Sequence, residues 1–450
     1  MRSIALPAIA VLILANLISG SIGTLSVQAP ITGLTFAVCL ALTSFASSTR
    51  INPASLLCLT TGMFLLGRFL ITYILGWADY RYGDWFLMGP MDITLVAKAL
   101  AAISLFLCGI TLAVGKLGQM EARDDPVLAR IALRVGIVLM PFALYRVHIN
   151  LATWSSGDYL GIYKTGGPGG IPYAIGSWMI LCIFAFIASR PKWKLALLAY
   201  VLGVTLCLLD TLKGARGIPM AQIIGLTWLF VTSQGFRFSV WKALVAGAAL
   251  AIFGEYLGRA RVGVEGAGFF SANLLDTLMG FVYGQGVSLI FIVSTLKNIS
   301  AFVLPIDGLR STFALFIDGY GRLFQHLPTG QNLEFAHHTA SLAHRVSFIV
   351  DAEMYLAGKG MGGSAVAEAI LYSPLIGPLV AGAFTGLVLK LLFRLGTKSS
   401  IGLFIFASVF PFLLLVPRET QLFFLVPLVK AALFALIVSV LARRNVIQPK

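Results

Sequence analysis

Apolar residues recur along the whole chain in runs that are long enough to cross a lipid bilayer. Each run holds about 20 residues with few charges, which is the length of a helix that spans a hydrocarbon core of roughly 30 Å. Because backbone polar groups in lipid must be satisfied within the segment, each run is predicted to be α-helical. The predicted helices cover residues 3–20, 25–46, 53–77, 92–115, 127–149, 171–189, 194–210, 217–234, 240–257, 366–393, 400–417 and 420–441. The pattern therefore predicts an all-α, polytopic helical bundle with about twelve transmembrane helices.

The long interval between the ninth and tenth predicted helices interrupts this pattern. Its first part, residues 269–296, is apolar enough for a further span. An extra crossing would place Arg394 and Arg443 on the opposite side from the other basic loops, so interfacial or re-entrant helices lying over the bundle are predicted instead. The expected division is a nine-helix bundle at 1–257, an external segment at 258–365 and C-terminal helices at 366–450.

Composition and charge indicate whether the chain is expected to contact membrane lipid or nucleic acid. The chain is 58% hydrophobic and only 11% charged, whereas soluble domains carry roughly 25% charged residues. Its net charge of +15 is dispersed among the apolar runs, and no nucleic-acid-binding module is found. By the positive-inside rule, the basic short loops and both termini are expected to be cytoplasmic. Membrane lipid is thus an expected partner and nucleic acid is not.

Basic residues on the opposite side are the informative exception. The runs DTLKGARG, RARVG and PRET each place arginine where a predicted span meets the external face. Guanidinium groups bind phosphate oxygens in pairs and stay charged in a low dielectric. The candidate diphosphate ligands are Lys213, Arg216, Arg259, Arg261, Arg345 and Arg418. Contact with lipid headgroups, or pairing with Asp210, Glu255 and Glu419, is the alternative. Arg68 and Arg146 lie within predicted spans and are further functional candidates.

A second group of polar residues lies between His337 and Ile370, in HHTASLAHRVSFIVDAEMYLAGKGMGGSAVAEAI. His344 and Glu368 are candidate general bases, because both residue types can accept a proton near neutral pH. They also fit solvated loop residues. No metal is expected, since the histidines lack the helical zinc spacing and no cysteine is nearby. The glycines here match a dinucleotide motif, but no strand precedes them, so no cofactor is expected.

The loop GDYLGIYKTGGPGG carries aromatic and polar groups amid glycines. Such groups suit sugar recognition, and a flexible connector fits the same composition. The candidate sugar-binding residues are Asp158, Tyr159 and Tyr163 from this loop, together with Tyr355.

The run SLAHRVSFIVDAEMYLAGKGMGGSAVAEAI resembles the signature of the O-antigen polysaccharide polymerase (Wzy-type) family. VYGQGVSLIFIVSTLKN and LKGARG, both upstream of it, fit the same family, and PRET lies where such polymerases carry an external arginine. The resemblance covers about residues 210–420 with these motifs. YSPLIGP departs from it, because a glycine-rich stretch is expected to lead into the helix at that point.

The resemblance implies a GT-C-like glycosyltransferase of the bacterial inner membrane, for which no metal is expected from the residues. Its substrate would be undecaprenyl-diphosphate-linked oligosaccharide, its site would face the periplasm, and a chain-length regulator protein would be a partner. The positions that match the family's functional residues are Arg216, His344, Arg345, Glu368 and Arg418. An O-antigen ligase, a lipid-linked oligosaccharide flippase and a non-enzymatic assembly partner remain alternatives. A flippase needs no external catalytic segment, so the predicted external segment at about 258–365 disfavours that alternative.

Overall fold

The computed structural model describes residues 2–47, 49, 51–76, 92–120, 123–156, 161, 163–164, 170–213, 216–236, 239–262 and 273–447. These residues form helices and connecting turns, with no β-strand among them. The helices are α1 (Arg2–Ile22), α2 (Leu25–Ser44), α3 (Pro53–Phe69), α4 (Ile93–Val114), α5 (Pro126–Ser156), α6 (Ile171–Gly176), α7 (Met179–Ala188), α8 (Trp193–Thr211), α9 (Gly217–Ser233), α10 (Val240–Val262), α11 (Leu274–Gln285), α12 (Ser288–Lys297), α13 (Ile306–Thr312), α14 (Ala314–Phe324), α15 (Leu333–His338), α16 (Leu342–Val350), α17 (Ala352–Leu356), α18 (Ala365–Tyr372), α19 (Ile376–Gly396), α20 (Ser400–Leu415) and α21 (Leu425–Ile447).

Within the described ranges, eleven helical stretches are long and apolar enough to cross a membrane. The predicted all-α polytopic fold is therefore confirmed. Ten of these stretches match predicted helices, and the other is Leu274–Lys297. The helix at 217–233 is apolar but shorter than a full span.

The predicted helix at 366–393 is two helices, α18 and α19. Pro374 separates them, because proline has no amide hydrogen and forces the residue before it out of the helical conformation. Ser373 accordingly has φ −165° and ψ 124°. The departure from the family pattern at YSPLIGP thus coincides with a real break, which places the short helix α18 before the span.

The segment predicted to lie over the bundle is instead packed into it. Helices α11 and α12 contact α3, and α12 also contacts α4 and α18. Glycines make this close approach possible: a Cβ at Gly286 would lie 2.2 Å from the backbone nitrogen of Arg68, and one at Gly67 would lie 2.9 Å from the carbonyl oxygen of Val282. Because the backbones touch here, α11 forms part of the inner wall beside α3.

Helices α4 and α19 pack closely along small residues. A Cβ at Gly382 would lie 2.0 Å from the carbonyl oxygen of Phe106, and one at Gly109 would lie 2.2 Å from that of Leu379. Small residues allow membrane helices to pack through their backbones, where apolar burial gives little driving force. This pair joins a hydrophobic core with α3, α12, α18 and α20. The same core fixes the start of α18, which carries Glu368, and the end of α20, which leads into the turn that carries Arg418.

Candidate active-site cavity

A cavity of about 1870 Å³ runs beside α3, between that helix and α9, α10 and α11. It extends from Asn52, which caps the start of α3, to Arg68 in its last turn. Sixteen residues of helical rise make this distance roughly 24 Å. The end near Arg68 is polar and basic. The remaining wall is largely apolar, with Leu56, Leu59, Met63, Ile223, Ile224, Leu250 and Phe253.

Arg68 is held in the wall of this cavity by an aromatic ring. Its guanidinium carbon lies 4.1 Å from the centroid of Tyr283, a cation–π contact. Its Nε is buried and has no hydrogen-bond partner in the described part of the chain. A buried donor of this kind is normally satisfied, so an unpaired one beside a cavity marks a position for a ligand acceptor.

Arg418 reaches the same wall from the turn that follows α20. Its Nη1 donates to Oε1 of Gln285 at 2.5 Å, and its guanidinium carbon lies 5.7 Å from the ring of Phe64. Phe64 is one helical turn before Arg68, and Gln285 is two residues after Tyr283. The motif VYGQG therefore contacts both arginines through neighbouring side chains.

Arg216 is the third arginine that lines the cavity, and it precedes the first residue of α9. Its Nη1 donates to the carbonyl oxygen of Gly254 in α10. Gly254 in turn packs against the ring of Phe281, so that α10 lies directly on α11. Three parts of the chain that are distant in sequence thus bring arginines to one cavity.

Lys213, predicted as a further phosphate ligand, is placed elsewhere. Its Nζ lies 2.8 Å from Oδ2 of Asp210, and Arg146 forms a two-point contact with the same carboxylate at 2.9 and 3.0 Å. Asn150 donates to Asp210 as well, at 2.9 Å. Neither Lys213 nor Arg146 lines the cavity. The predicted alternative in which Arg216 pairs with Asp210 is also not observed, because Lys213 and Arg146 occupy that carboxylate.

Arg345 is likewise engaged outside the cavity. Its Nη1 lies 2.5 Å from Oδ1 of Asp307, and its guanidinium carbon is 4.9 Å from the ring of Phe302. It does not line the cavity. This ion pair joins α16 to α13, so the structure gives Arg345 a role in holding the helix that carries the neighbouring His344.

His344 lines the cavity, and a buried tyrosine holds its ring. Its Nδ1 lies 2.9 Å from the hydroxyl of Tyr355, and Phe335 packs edge-on against it at 4.9 Å. Burial lowers the pKa of His344 to about 4, so that the ring is neutral at neutral pH. Tyr355 was predicted to bind sugar. Its side chain is fully buried, its hydroxyl lies against Nδ1 of His344, and it does not line the cavity.

Glu368 is buried behind the cavity wall and does not line it. Its carboxylate accepts from the hydroxyl of Ser311 at 2.8 Å and from the backbone nitrogen of Gln421 at 2.9 Å. Burial raises the pKa of Glu368 to about 7, against the opposing hydrogen bonds. The carboxylate therefore holds the turn at 416–421 against α18, and it does not reach a substrate in the cavity as the predicted general base would.

The sequence did not single out two polar cavity residues as ligands. Glu419 was considered only as a partner for Arg418, yet it lines the cavity. Gln331 also lines it, and its buried Oε1 has no partner among the described residues. The backbone nitrogen of Gln331 donates to the carbonyl oxygen of Tyr163 at 2.9 Å, which brings that predicted sugar-binding residue to the cavity wall. No local motif marks Gln331, because only the fold places it there.

The side chains of the remaining predicted site residues are not among those that the structure describes. Asp158 and Tyr159 lie outside the described residues, and Arg259 and Arg261 lie in the last turns of α10, where only the backbone is described. Among the described residues, no three His, Cys, Asp or Glu side chains are grouped as metal ligands would be.

The whole chain was compared with known protein families, curated sequences and solved structures. No curated protein sequence and no solved structure matches the chain. The family model described as O-antigen polysaccharide polymerase Wzy matches residues 3–448, which is nearly the whole chain and includes every residue of the cavity wall. The chain therefore belongs to the O-antigen polysaccharide polymerase family.

Proposed function

We propose that this protein joins oligosaccharide repeats carried on undecaprenyl diphosphate, at the periplasmic face of the bacterial inner membrane. The growing saccharide leaves its lipid diphosphate and is transferred to a sugar hydroxyl of a new lipid-linked repeat. One observation carries the proposal: Arg68, Arg216 and Arg418 come from separate parts of the chain and line one cavity.

A diphosphate is the ligand that matches this wall best. Arginine offers paired donors that fit phosphate oxygens, and it keeps its charge when buried. The negative charge on the leaving diphosphate grows as the glycosidic bond breaks. A fixed donor aimed at such developing charge in a dry site is worth roughly 3–4 kcal/mol. The same wall therefore binds the substrate and lowers the barrier to transfer.

The apolar part of the cavity suits the prenyl chain of the substrate. Its wall is built from α3, α9 and α10 and continues for roughly 24 Å below Arg68. Burial of hydrocarbon against this wall would hold the lipid with its diphosphate at the arginines. The cavity is basic at one end and apolar along the rest of its length. This order supports a substrate that has a charged head and a long apolar tail.

Sugar would occupy the opposite side of the arginines, where Tyr163, Gln331 and Lys359 line the cavity. An amide, an aromatic ring and an ammonium group are suited to hydroxyl-rich ligands. The positive-inside rule favours the periplasm for this end of the protein, because Arg190, Lys192 and the other basic short loops are expected to be cytoplasmic at the opposite end.

The test is polymer formation by the purified protein from lipid-linked repeats, followed as a ladder of products. Arg68→Ala should lower the rate per molecule of folded protein, whereas the exposed Arg394 provides a matched control, Arg394→Ala. Transfer of one finished saccharide to lipid A core, without laddering, would identify a ligase instead. Movement of the lipid-linked repeat across the bilayer without new bonds would identify a flippase.

A further inference from the structure

Two acidic residues line the cavity within the described chain, Glu255 and Glu419. Glu419 directly follows Arg418 and lies beside Gly363, whose nitrogen donates to the carbonyl oxygen of Arg418 at 3.2 Å. A Cβ at Gly363 would be 3.6 Å from Ala343, the residue before His344. Glu419 therefore lies where the arginine wall meets the histidine. No described side chain donates a hydrogen bond to its carboxylate.

The hydrogen bond of His344 decides what that histidine can offer a substrate. Tyr355 is fully buried, and Nδ1 of His344 is the acceptor found for its hydroxyl among the described residues. A buried hydroxyl proton needs an acceptor, so Tyr355 donates to Nδ1. The proton of the neutral imidazole then resides on Nε2, the nitrogen left for a ligand. His344, which lines the cavity, thus offers a hydrogen-bond donor at Nε2 rather than a base.

We infer that Glu419 is the general base of the transfer reaction and that His344 donates a hydrogen bond to a substrate oxygen. This inference rests on the proposed function. The acceptor hydroxyl oxygen attacks the anomeric carbon of the donor sugar, and its proton passes to the Glu419 carboxylate. The bond from that carbon to the diphosphate oxygen breaks, and its electron pair leaves with the lipid diphosphate on the arginines.

Charge around Glu419 is consistent with this role. Burial raises the pKa of Glu419 to about 7, and Arg418 opposes that rise. The charged groups that interact with it are Arg418 on its own turn and Glu368 behind it on α18. A base with a pKa near the working pH is efficient. Because Glu419 must be ionised to accept a proton, turnover should increase as the pH rises through about 7.

The decisive comparison is Glu419→Gln against Glu419→Asp, with purified protein and lipid-linked repeats. Gln keeps the shape but cannot take a proton, so turnover should fall by about 10²–10⁴-fold while binding of the lipid-linked donor is retained. Asp should restore part of the rate with a displaced pH profile. Wild-type turnover in Glu419→Gln, or loss of donor binding without a change in turnover at saturation, would overturn the inference.

Different experimental outcomes would contradict the proposed function and the assignment of Glu419 as the general base. If the wild-type protein made no polymer from any lipid-linked repeat, the function itself would be wrong. If Arg418→Ala were inactive but Glu419→Gln polymerised normally, only the base assignment would be wrong.

A second, independent inference concerns α14, whose faces are reversed relative to a helix in water. Phe316, Ile317, Tyr320 and Phe324 recur at helical spacing and are exposed. The opposite face buries Asp318, whose carboxylate accepts from Thr339 and Ala340 at 2.6 and 2.8 Å. An exposed apolar stripe of this size marks an interaction surface.

We propose that this stripe lies in the membrane leaflet at its end of the bundle. Exposed Ile306 and Leu309 on the preceding helix α13 continue the apolar surface, and α13 packs on α18, next to the span α19. Arg310 and Arg322 are exposed residues of the same two helices, and their charges complement anionic headgroups, although the guanidinium carbon of Arg322 also lies 5.2 Å from the ring of Phe335. Lipid therefore fits both the apolar face and these basic residues.

Spin labels at Phe316→Cys and Leu323→Cys test this placement in liposomes, because all five native cysteines are buried. The matched control is Gln325→Cys, an exposed polar position at the end of the same helix. Oxygen should reach the first two labels more readily than a water-soluble nickel complex, and the control should show the reverse. Equal nickel access at all three positions, or access of neither reagent to the stripe, would exclude lipid as the occupant.

Discussion

The guanidinium group of Arg68 stacks on the ring of Tyr283, with 4.1 Å between its central carbon and the ring centroid. The contact joins the last turn of α3 to α11 and leaves the buried Nε of Arg68 without a hydrogen bond among the described residues. The arginine is therefore oriented by the ring while one donor stays available. This arrangement makes Arg68 a member of the proposed diphosphate site, whereas the sequence identified Arg68 only as a charge within a span.

Replacement of Tyr283 should show how much the orientation of the Arg68 side chain matters, because the charge of Arg68 is kept. A desolvated cation–π contact is worth about 2 kcal/mol, so Tyr283→Leu should lower turnover by roughly 10–30-fold. Tyr283→Phe keeps a ring under the guanidinium and should stay within a few-fold of wild type. Ladder length per unit of membrane-inserted protein is the measurement. Equal activity of the Leu and Phe variants would show that the ring does not orient Arg68.

Sequence reasoning was sufficient for the membrane class and for most spans, because apolar length is a local property of the chain. It was insufficient for α11 and α12. Parity of the basic loops argued against an extra span, but packing of the segment depends on Gly67 and Gly286, whose close approach is visible only in three dimensions.

Site residues show the same division. Arg216, His344 and Arg418 line the cavity, and each had been selected from a motif. Lys213 and Arg345 had the same local appearance, but Asp210 and Asp307 pair with them in the fold. Charge type and motif position therefore identify candidates, whereas the nearest carboxylate decides which cation remains available.

Gly286 lies so close to the backbone of α3 that a single added methyl group should destabilise the protein. A Cβ there would lie 2.2 Å from the nitrogen of Arg68, so Gly286→Ala must displace α11 from α3. We expect less folded protein, with a lower melting temperature in detergent. Gly33→Ala is the matched control, because no atom lies within 4 Å of a Cβ at that helical position. Equal stability of the two variants would mean that the helices do not meet at Gly286.

Glu368 should give stability a distinctive pH dependence. Its pKa is raised from 4.5 to about 7 in the folded protein, chiefly by burial. The folded state therefore binds the proton more tightly, so this contribution is complete below pH 4.5 and is lost as the pH rises through about 7. Glu368→Gln should flatten that decline in melting temperature. An unchanged decline in the variant would assign the slope to another group.

Tyr355→Phe tests the hydrogen bond to His344 without removing the ring that packs beside it. Loss of one net hydrogen bond of about 1 kcal/mol predicts a roughly five-fold decrease in turnover. Protein amount should change little, because the ring contact between residues 348 and 355 is retained. The pH profile provides the discriminating measurement, since the histidine can then place its proton on either nitrogen. A variant with an unchanged rate and profile would remove Tyr355 from the mechanism.

Arg216 and Arg418 should respond differently from Lys213, although all three are cations near the ends of spans. The two arginines line the cavity, so alanine at either position should lower turnover by about 10²–10³-fold at normal protein level. Arg216→Lys keeps the charge without the planar fork and should recover only part of the activity. Lys213 pairs with Asp210 at 2.8 Å, so Lys213→Ala should reduce the amount of folded protein and leave the turnover of each molecule near wild type. Polymer ladders normalised to membrane-inserted protein separate these effects. Normal ladders in both arginine-to-alanine variants would contradict diphosphate binding by this wall, because two of the three arginines that line the cavity among the described residues would then be dispensable.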